Sequence, residues 1–421
     1  MSEILTELYR GIPVNMHVSA ENIKDYKLAP GSGNMPLPAL TLDEDLFDAN
    51  VALMMDYCRQ QGVKIAPHGK TPMAPALAKK LVAAGAWGVS VANIQQAAVM
   101  LSHGVTHLIF ANEVGGVKSG ERLGALLAKY PNAECLVFAD SQACLDSLVA
   151  GGRAAKRPIS VLLELGAGRA GIRDFDTLCK LADYAAQHKE HLAVKGIGVY
   201  EGSAEADTDQ KKIEKIQALL ALAMQSVRFV KEKFALNEVV FTAGGSSYFD
   251  LVCAAVNKEK DLGMLPILRS GAIFFFDNGV YQKSLSAIQG RNGFSACGAS
   301  ANAGTFQPAL RVWAEVLANP ETDLYICSMG KRDVSHDVDL PVPLAVYRDG
   351  QALAGAQHGL EVTQLNDQHA FVKSGSGAVS LAVGDILEFG ISHPCTCFDK
   401  WNLIYGIKDR QVVNAYKTYF G

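Results

Sequence analysis

Val63-Lys64-Ile65-Ala66-Pro67-His68-Gly69-Lys70-Thr71 sets the reading of the fold. A short apolar run at 63–66 enters a turn containing glycine, and the composition that follows predicts a helix over 72–84. The same unit recurs down the chain. Strand-like runs are expected at 88–93, 107–111, 134–139, 159–165, 194–200, 238–242 and 265–269, with Ala/Leu-rich helical segments between them, among them 94–103, 175–188 and 209–233. Eight strands, each followed by a helix, predict a (β/α)8 barrel. A doubly wound open sheet is the competing arrangement, but no G-x-G-x-x-G turn opens a helix in the right βαβ context to support it.

Outside this rhythm the texture differs. Pro30, Gly31, Gly33, Pro36 and Pro38 mark a Gly/Pro-rich opening, followed by an amphipathic helix expected over 43–61. Past Phe276, β-branched residues, Gly and Pro increase and helical periodicity fades, with short strands expected at 324–328, 344–347, 371–372 and 386–389. The expected organisation is a barrel over 36–276 and a C-terminal β domain over 277–421, completed by residues 1–35.

Composition narrows the function classes. The 421 residues are 49% hydrophobic, enough for a large buried core and more than one domain. With 39 basic and 43 acidic residues the formal net charge is −4, which leaves no basic stripe for nucleic acid and no polybasic tail for a membrane. A small-molecule partner is expected. The first residues lack the cationic start and apolar core of a signal peptide, and no apolar run reaches spanning length. Nine scattered cysteines form no disulfide framework, so a reducing, cytoplasmic location is expected.

A barrel builds its chemistry from the loops at the C-terminal ends of its strands. Here those ends carry His68 and Lys70, Asn93, Asn112, Gly166-Ala167-Gly168-Arg169, Tyr200-Glu201-Gly202, Thr242-Ala243-Gly244-Gly245-Ser246 and Arg269-Ser270-Gly271. A lysine delivered at a strand end into a glycine turn can hold an aldehyde cofactor as a Schiff base, although the hexapeptide alone fits a solvated loop lysine equally well. The turn after the seventh strand, Gly244-Gly245-Ser246, occupies the place where barrels commonly bind phosphate; as an isolated pattern it is also an ordinary tight turn. Together the two features match both ends of pyridoxal phosphate: aldehyde on Lys70, phosphate on the turn.

Through Pro67-His68-Gly69-Lys70-Thr71, Asn112-Glu113-Val114-Gly115-Gly116, Gly168-Arg169-Ala170-Gly171, Gly198-Val199-Tyr200-Glu201-Gly202, Leu268-Arg269-Ser270-Gly271 and His393-Pro394-Cys395, the chain resembles the alanine-racemase-type (fold type III) pyridoxal-phosphate enzymes. Within them it is most similar to the D-serine dehydratase and D-threonine aldolase branch. The resemblance implies Lys70 as the cofactor lysine and catalytic base. It implies Tyr200 as a catalytic and cofactor-lining residue, and Arg169 beside the cofactor's phenolic oxygen. Arg269 falls on the side of the pyridine nitrogen, and His68, Thr242, Gly244, Gly245 and Ser246 complete the cofactor site. It also implies a homodimer with the active site near the subunit interface. Ile273 departs from the pattern, since relatives carry tyrosine there, and Ser270 replaces a proline.

His393-x-Cys395 is the remaining motif. A strand-like His-x-Cys presents both side chains on one face, so nitrogen and thiolate can share a divalent cation, Zn²⁺ first and Mn²⁺ or Mg²⁺ as alternatives. Taken alone, a His and a Cys two apart are usually unrelated, and Cys397 leaves the ligand choice open. The resemblance supports the metal pair: D-serine dehydratases carry His-x-Cys here, D-threonine aldolases His-x-Asp. The expected activity is removal of water and ammonia from a D-amino acid bearing a β-hydroxyl, giving a 2-keto acid. A D-threonine or 3-hydroxy-D-amino-acid aldolase is the alternative. A D-glucosaminate-type dehydratase, a racemase and a noncatalytic pyridoxal-phosphate carrier are further ones.

Overall fold

The computed structural model describes residues 4–245, 247–294, 302, 304–375 and 379–420. Eight parallel strands form one curled sheet, Lys64–Ile65, Val89–Val91, His107–Glu113, Glu134–Ala139, Ile159–Leu165, Leu192–Val199, Val239–Ala243 and Met264–Leu268, in the order 1-8-7-6-5-4-3-2. The first strand has only two residues, and closure beside it is made by the turn itself. Trp87 N–H donates to Ile65 O (2.8 Å), Ser90 N–H to Pro67 O (2.9 Å) and Gly69 N–H to Ser90 O (2.7 Å). A Cβ on Gly69 would lie 2.5 Å from Val89 Cγ1, so only glycine lets the turn carrying Lys70 press against the second strand. The expected (β/α)8 barrel is the observed one.

Helices start where side-chain oxygens cap their free N–H groups: Asp43, Asn93, Ser141, Asp174 and Thr208 each accept from the amide three residues on. The helix expected from residue 72 begins later, at Pro75–Ala83. Met73 sits at φ +40°, which no α-helix continues, and Pro75 supplies the preset φ of a first helical turn.

The second unit is an antiparallel sheet built around Leu310–Glu321, with Leu324–Cys327, Val342–Arg348, Leu360–Leu365, Ala370–Ser374, Ile386–Gly390, Leu403–Lys408 and Gln411–Lys417. Ala39–Asp43, ahead of the barrel rhythm, also belongs to this sheet. It lies antiparallel to Leu310–Glu321 and parallel to Leu403–Lys408, with Trp313 Nε1–H donating to Thr41 Oγ1 at 2.8 Å. Leu5, Ile12, Val18, Ile23, Leu28 and Met35 pack in one cluster with Trp313, Tyr347 and Tyr405 of the sheet. Between the units, the buried carboxylate of Glu44 accepts from Lys80 Nζ (2.6 Å), Asn414 Nδ2 (2.9 Å) and the Tyr416 hydroxyl (2.5 Å). Periodicity after Phe276 gave no sign of the helix Val280–Gly290. Its start is fixed by Asp277, whose carboxylate accepts from Gly279 N–H (2.7 Å) and Tyr281 N–H (2.9 Å).

Candidate active site

A cavity of about 270 Å³ opens at the C-terminal mouth of the barrel, where Tyr281, His393 and Cys395 of the C-terminal half complete its wall. Lys70, His68, Arg169, Tyr200, Gly245, Arg269, His393 and Cys395 all line it, so most of the residues singled out from the sequence converge on one space. Thr242 and Gly244 stand behind this wall. The Thr242 hydroxyl donates to Ile267 O (2.9 Å) and accepts from Arg269 Nη1 (3.0 Å), so it supports Arg269 from beneath. Ser246 lies outside the described residues.

The lysine turn is held on both sides. A Cβ on Gly271 would lie 2.6 Å from His68 N, so the turn after the eighth strand runs directly against it. The next residue, Thr71, is buried, and its hydroxyl lies 3.2 Å from Cys395 Sγ. His68 is held neutral: burial first, then the charges of Lys70 and Arg269, push its pKa well below the usual value. Its Nδ1 is buried without a hydrogen-bond partner in the protein, an orphaned polar atom in a residue that lines the cavity.

Arg269 is buried, donates Nη2–H to Val199 O (2.7 Å) and lies over the Phe138 ring at 5.2 Å. Burial lowers its pKa, while the charge of Glu201 works in the opposite direction. Glu201, quoted with Tyr200 but given no role from the sequence, is fully buried. Its carboxylate accepts from Gly244 N–H (3.1 Å) and Gly245 N–H (2.6 Å). The glycine turn therefore does bind an anionic group, and the group is the protein's own. Arg169 stacks over Tyr200 at 5.3 Å. Two further wall residues escaped the sequence reading. Glu164 is the last residue but one of the fifth strand, and its pKa is raised by burial and then by Glu113, so it keeps its proton at neutral pH. Tyr281 enters from the helix Val280–Gly290.

His393 and Cys395 do meet, but not by strand alternation. His393 is extended (φ −153°, ψ 108°) and caps the short helix Pro394–Phe398, whose first turn carries Cys395. His393 Nδ1 lies 2.7 Å from Asp337 Oδ2, Thr396 Oγ1 donates to Asp337 Oδ1 at 2.6 Å, and His393 N–H donates to Ser335 Oγ at 3.1 Å. Hydrogen bonding to Cys395, then to Asp337, pushes the imidazole up to about 9 against the effect of burial; these surroundings favour positive charge. Cys397 is buried away from the pair: its thiol donates to Asp333 O (3.9 Å), and burial pushes it up to about 12. Among the described residues no group of three or more His, Cys, Asp or Glu clusters as a metal cage, so a cation at His393 and Cys395 would keep open positions.

The basic wall fits an anionic cofactor with an aldehyde to be held by lysine: the guanidinium groups of Arg169 and Arg269 and the orphaned imidazole of His68 share the cavity with Lys70, while the Gly244 and Gly245 amides are taken by Glu201. Comparison with known proteins agrees. Residues 42–249 match the alanine racemase N-terminal domain, and residues 309–407 match the serine dehydratase domain. The two matches follow one another along the chain, so it combines an alanine racemase N-terminal domain with a serine dehydratase domain and is similar along its length to pyridoxal-phosphate lyases of D-hydroxyamino acids.

Its relatives include the D-threonine aldolase of an Arthrobacter species, 25% identical over 90% of this chain and 91% of that protein. The D-threo-3-hydroxyaspartate dehydratase of Delftia sp. (strain HT23) is 28% identical over 43% of this chain and 47% of that protein. The solved structure of that dehydratase superposes with a TM-score of 0.68 at 21% identity, covering 93% of this chain and 99% of its own. The D-threonine aldolase from Filomicrobium marinum gives 0.72 at 22% identity, covering 90% and 94%. No helix among the described residues is long and apolar enough to cross a membrane.

Proposed function

We propose that this chain is a pyridoxal-phosphate- and divalent-metal-dependent dehydratase. It would act on D-amino acids bearing a β-hydroxyl, removing water and then ammonia to leave a 2-keto acid. The observation that carries the reading is the contact between Thr71 Oγ1 and Cys395 Sγ at 3.2 Å. It brings the turn of Lys70 and the His393–Cys395 pair side by side on the wall of one small cavity, although they lie more than 300 residues apart in sequence.

Lys70, His68, Arg169, Tyr200 and Arg269 would hold the cofactor, and His393 and Cys395 would hold the cation. When bound, the cofactor supplies an electron sink for charge released at the substrate's Cα, and the cation supplies Lewis acidity toward the β-hydroxyl. Among the described residues Lys70 is the one amine lining the cavity, and its Nζ would take the Cα proton. Arg269, fixed by Val199 and Thr242, keeps a permanent positive charge at the cavity wall and opposes protonation of whatever ring nitrogen faces it. Neutral His68 accepts or donates a hydrogen bond without adding charge.

Cys395 at the second ligand position supports dehydration, and a cysteine-to-alanine variant of the Delftia dehydratase has been solved in a metal-free form. The second reading is retro-aldol cleavage, favoured by the aldolase similarity along 90% of the chain. Purified protein offered D- and L-β-hydroxy amino acids, with and without chelator, separates the two. Ammonia and keto acid that appear only from the D-series and stop on chelation support the proposal. Glycine and aldehyde overturn it in favour of the aldolase, and full turnover after exhaustive metal removal refutes the metal role. A cytoplasmic location and a homodimer with the cavity near the subunit interface belong to the same proposal. That no described cysteine sits in a disulfide is in keeping with the first.

A further inference from the structure

We infer that Asp337 is the positioning residue of the metal ligand His393, fixing its proton on Nδ1 and so presenting Nε2 to the cation. The inference rests on the reading above that His393 and Cys395 hold a metal.

A neutral imidazole carries one proton and one lone pair, and only the unprotonated nitrogen can ligate. A carboxylate facing one ring nitrogen decides which. Asp337 Oδ2 lies 2.7 Å from His393 Nδ1, so in the neutral ring the proton belongs on Nδ1 and the lone pair on Nε2. The cavity is lined by His393 and Cys395 together, so the nitrogen left free belongs to the same space as the thiol.

The carboxylate is itself clamped. Its other oxygen accepts from Thr396 Oγ1 at 2.6 Å, and the backbone of His393 is tied to Ser335 Oγ at 3.1 Å. Three contacts between the 335–337 loop and the His393–Thr396 segment therefore set where the ring stands and how it is turned. Carboxylate–histidine–metal arrangements commonly work this way, and the supporting acid also raises ligand basicity. Nothing in the sequence pattern marks Asp337: it lies in a loop between Leu324–Cys327 and Val342–Arg348 and gains meaning only from the contact.

Without the carboxylate the ring can turn, or carry its proton on Nε2 and lose the lone pair toward the cation. The cost falls on metal affinity ahead of any step of the reaction. The test is a titration of full-length, cofactor-loaded, metal-stripped protein with Zn²⁺ against a chromophoric chelator. D337A is expected to bind Zn²⁺ roughly 10- to 100-fold more weakly. D337N, which keeps an acceptor but no charge, should fall between D337A and the unmodified protein. T396V cuts the clamp but leaves the Nδ1 contact and should bind nearly as well as the unmodified protein.

Zn²⁺ held by D337A as tightly as by the unmodified protein overturns the inference. So does a T396V variant that loses as much as D337A, since the carboxylate would then act only by starting the helix Pro394–Phe398. H393A separates the two levels. If it binds Zn²⁺ normally, the metal reading itself fails; if it loses Zn²⁺ while D337A does not, only the role of Asp337 fails.

Discussion

Glu201→Gln is the substitution for which the structure gives the clearest energetic expectation. Glu201 is fully buried and holds two backbone N–H groups of the turn that follows the seventh strand, at 3.1 and 2.6 Å. Glutamine has almost the same shape but only one acceptor oxygen, and its NH₂ would face the other N–H. One charge-assisted hydrogen bond, about 1.5–3 kcal/mol, is lost, and one buried donor is left unsatisfied at about 1–3 kcal/mol. The substitution also removes a negative charge that favours the charged form of buried Arg269. A loss of about 3–5 kcal/mol is expected from these costs, in the range seen when one partner of a buried ionic arrangement is removed. Equilibrium urea unfolding followed by circular dichroism measures it, on protein without cofactor as well as with it. The loss should be present without cofactor, because both amides are satisfied by the protein's own carboxylate. A change within about 0.5 kcal/mol, the range of an ordinary surface substitution, would refute the argument.

Thr71→Val removes the hydroxyl beside Cys395 Sγ while keeping the side chain's volume; the lost bond to a thiolate, about 1.5–3 kcal/mol, should weaken Zn²⁺ binding by roughly 10-fold or more, and Thr71→Ser should restore it. Glu164→Gln tests the raised acid. A carboxyl whose folded pKa lies above its unfolded value near 4.5 costs stability progressively as pH rises past that value, because the unfolded chain releases its proton first. The variant should therefore melt higher than the unmodified protein at pH 7–8 and converge with it near pH 4; parallel melting curves across that range would contradict this. Borohydride treatment of the cofactor-loaded protein should label the peptide containing Lys70, and Lys70→Ala should abolish the label. Label elsewhere, or full turnover by the variant, removes the foundation of the proposed function.

The barrel was legible because strands of a closed parallel sheet are buried on both faces and read as short apolar runs between helices. Even Lys64–Ile65, two residues long, was marked by its neighbours at 63 and 66. The residues at strand ends were legible for the same reason, since fold geometry alone sends them to one mouth. What escaped depends on contacts remote in sequence. Glu164 left a faint trace as the lone acid within the apolar run Ile159–Leu165. Glu201 was visible beside Tyr200, yet its partners are amides of another turn, and backbone donors have no sequence signature. The helix Val280–Gly290 was hidden among glycines and aromatic residues because its start relies on Asp277 rather than on a residue placed immediately before it. Ala39–Asp43 is a strand only because Leu310–Glu321 and Leu403–Lys408 exist to receive it.

That last arrangement constrains the order of events during synthesis. The strand Ala39–Asp43 leaves the ribosome early, but the neighbours that flank it arrive only when the chain is almost finished. The barrel that carries Lys70, whose strands all lie before residue 269, can assemble while translation continues; the sheet beside His393 and Cys395 must wait for Leu403–Lys408. A polypeptide truncated late in translation would thus keep the barrel with Lys70 and lack the His393–Cys395 wall of the cavity.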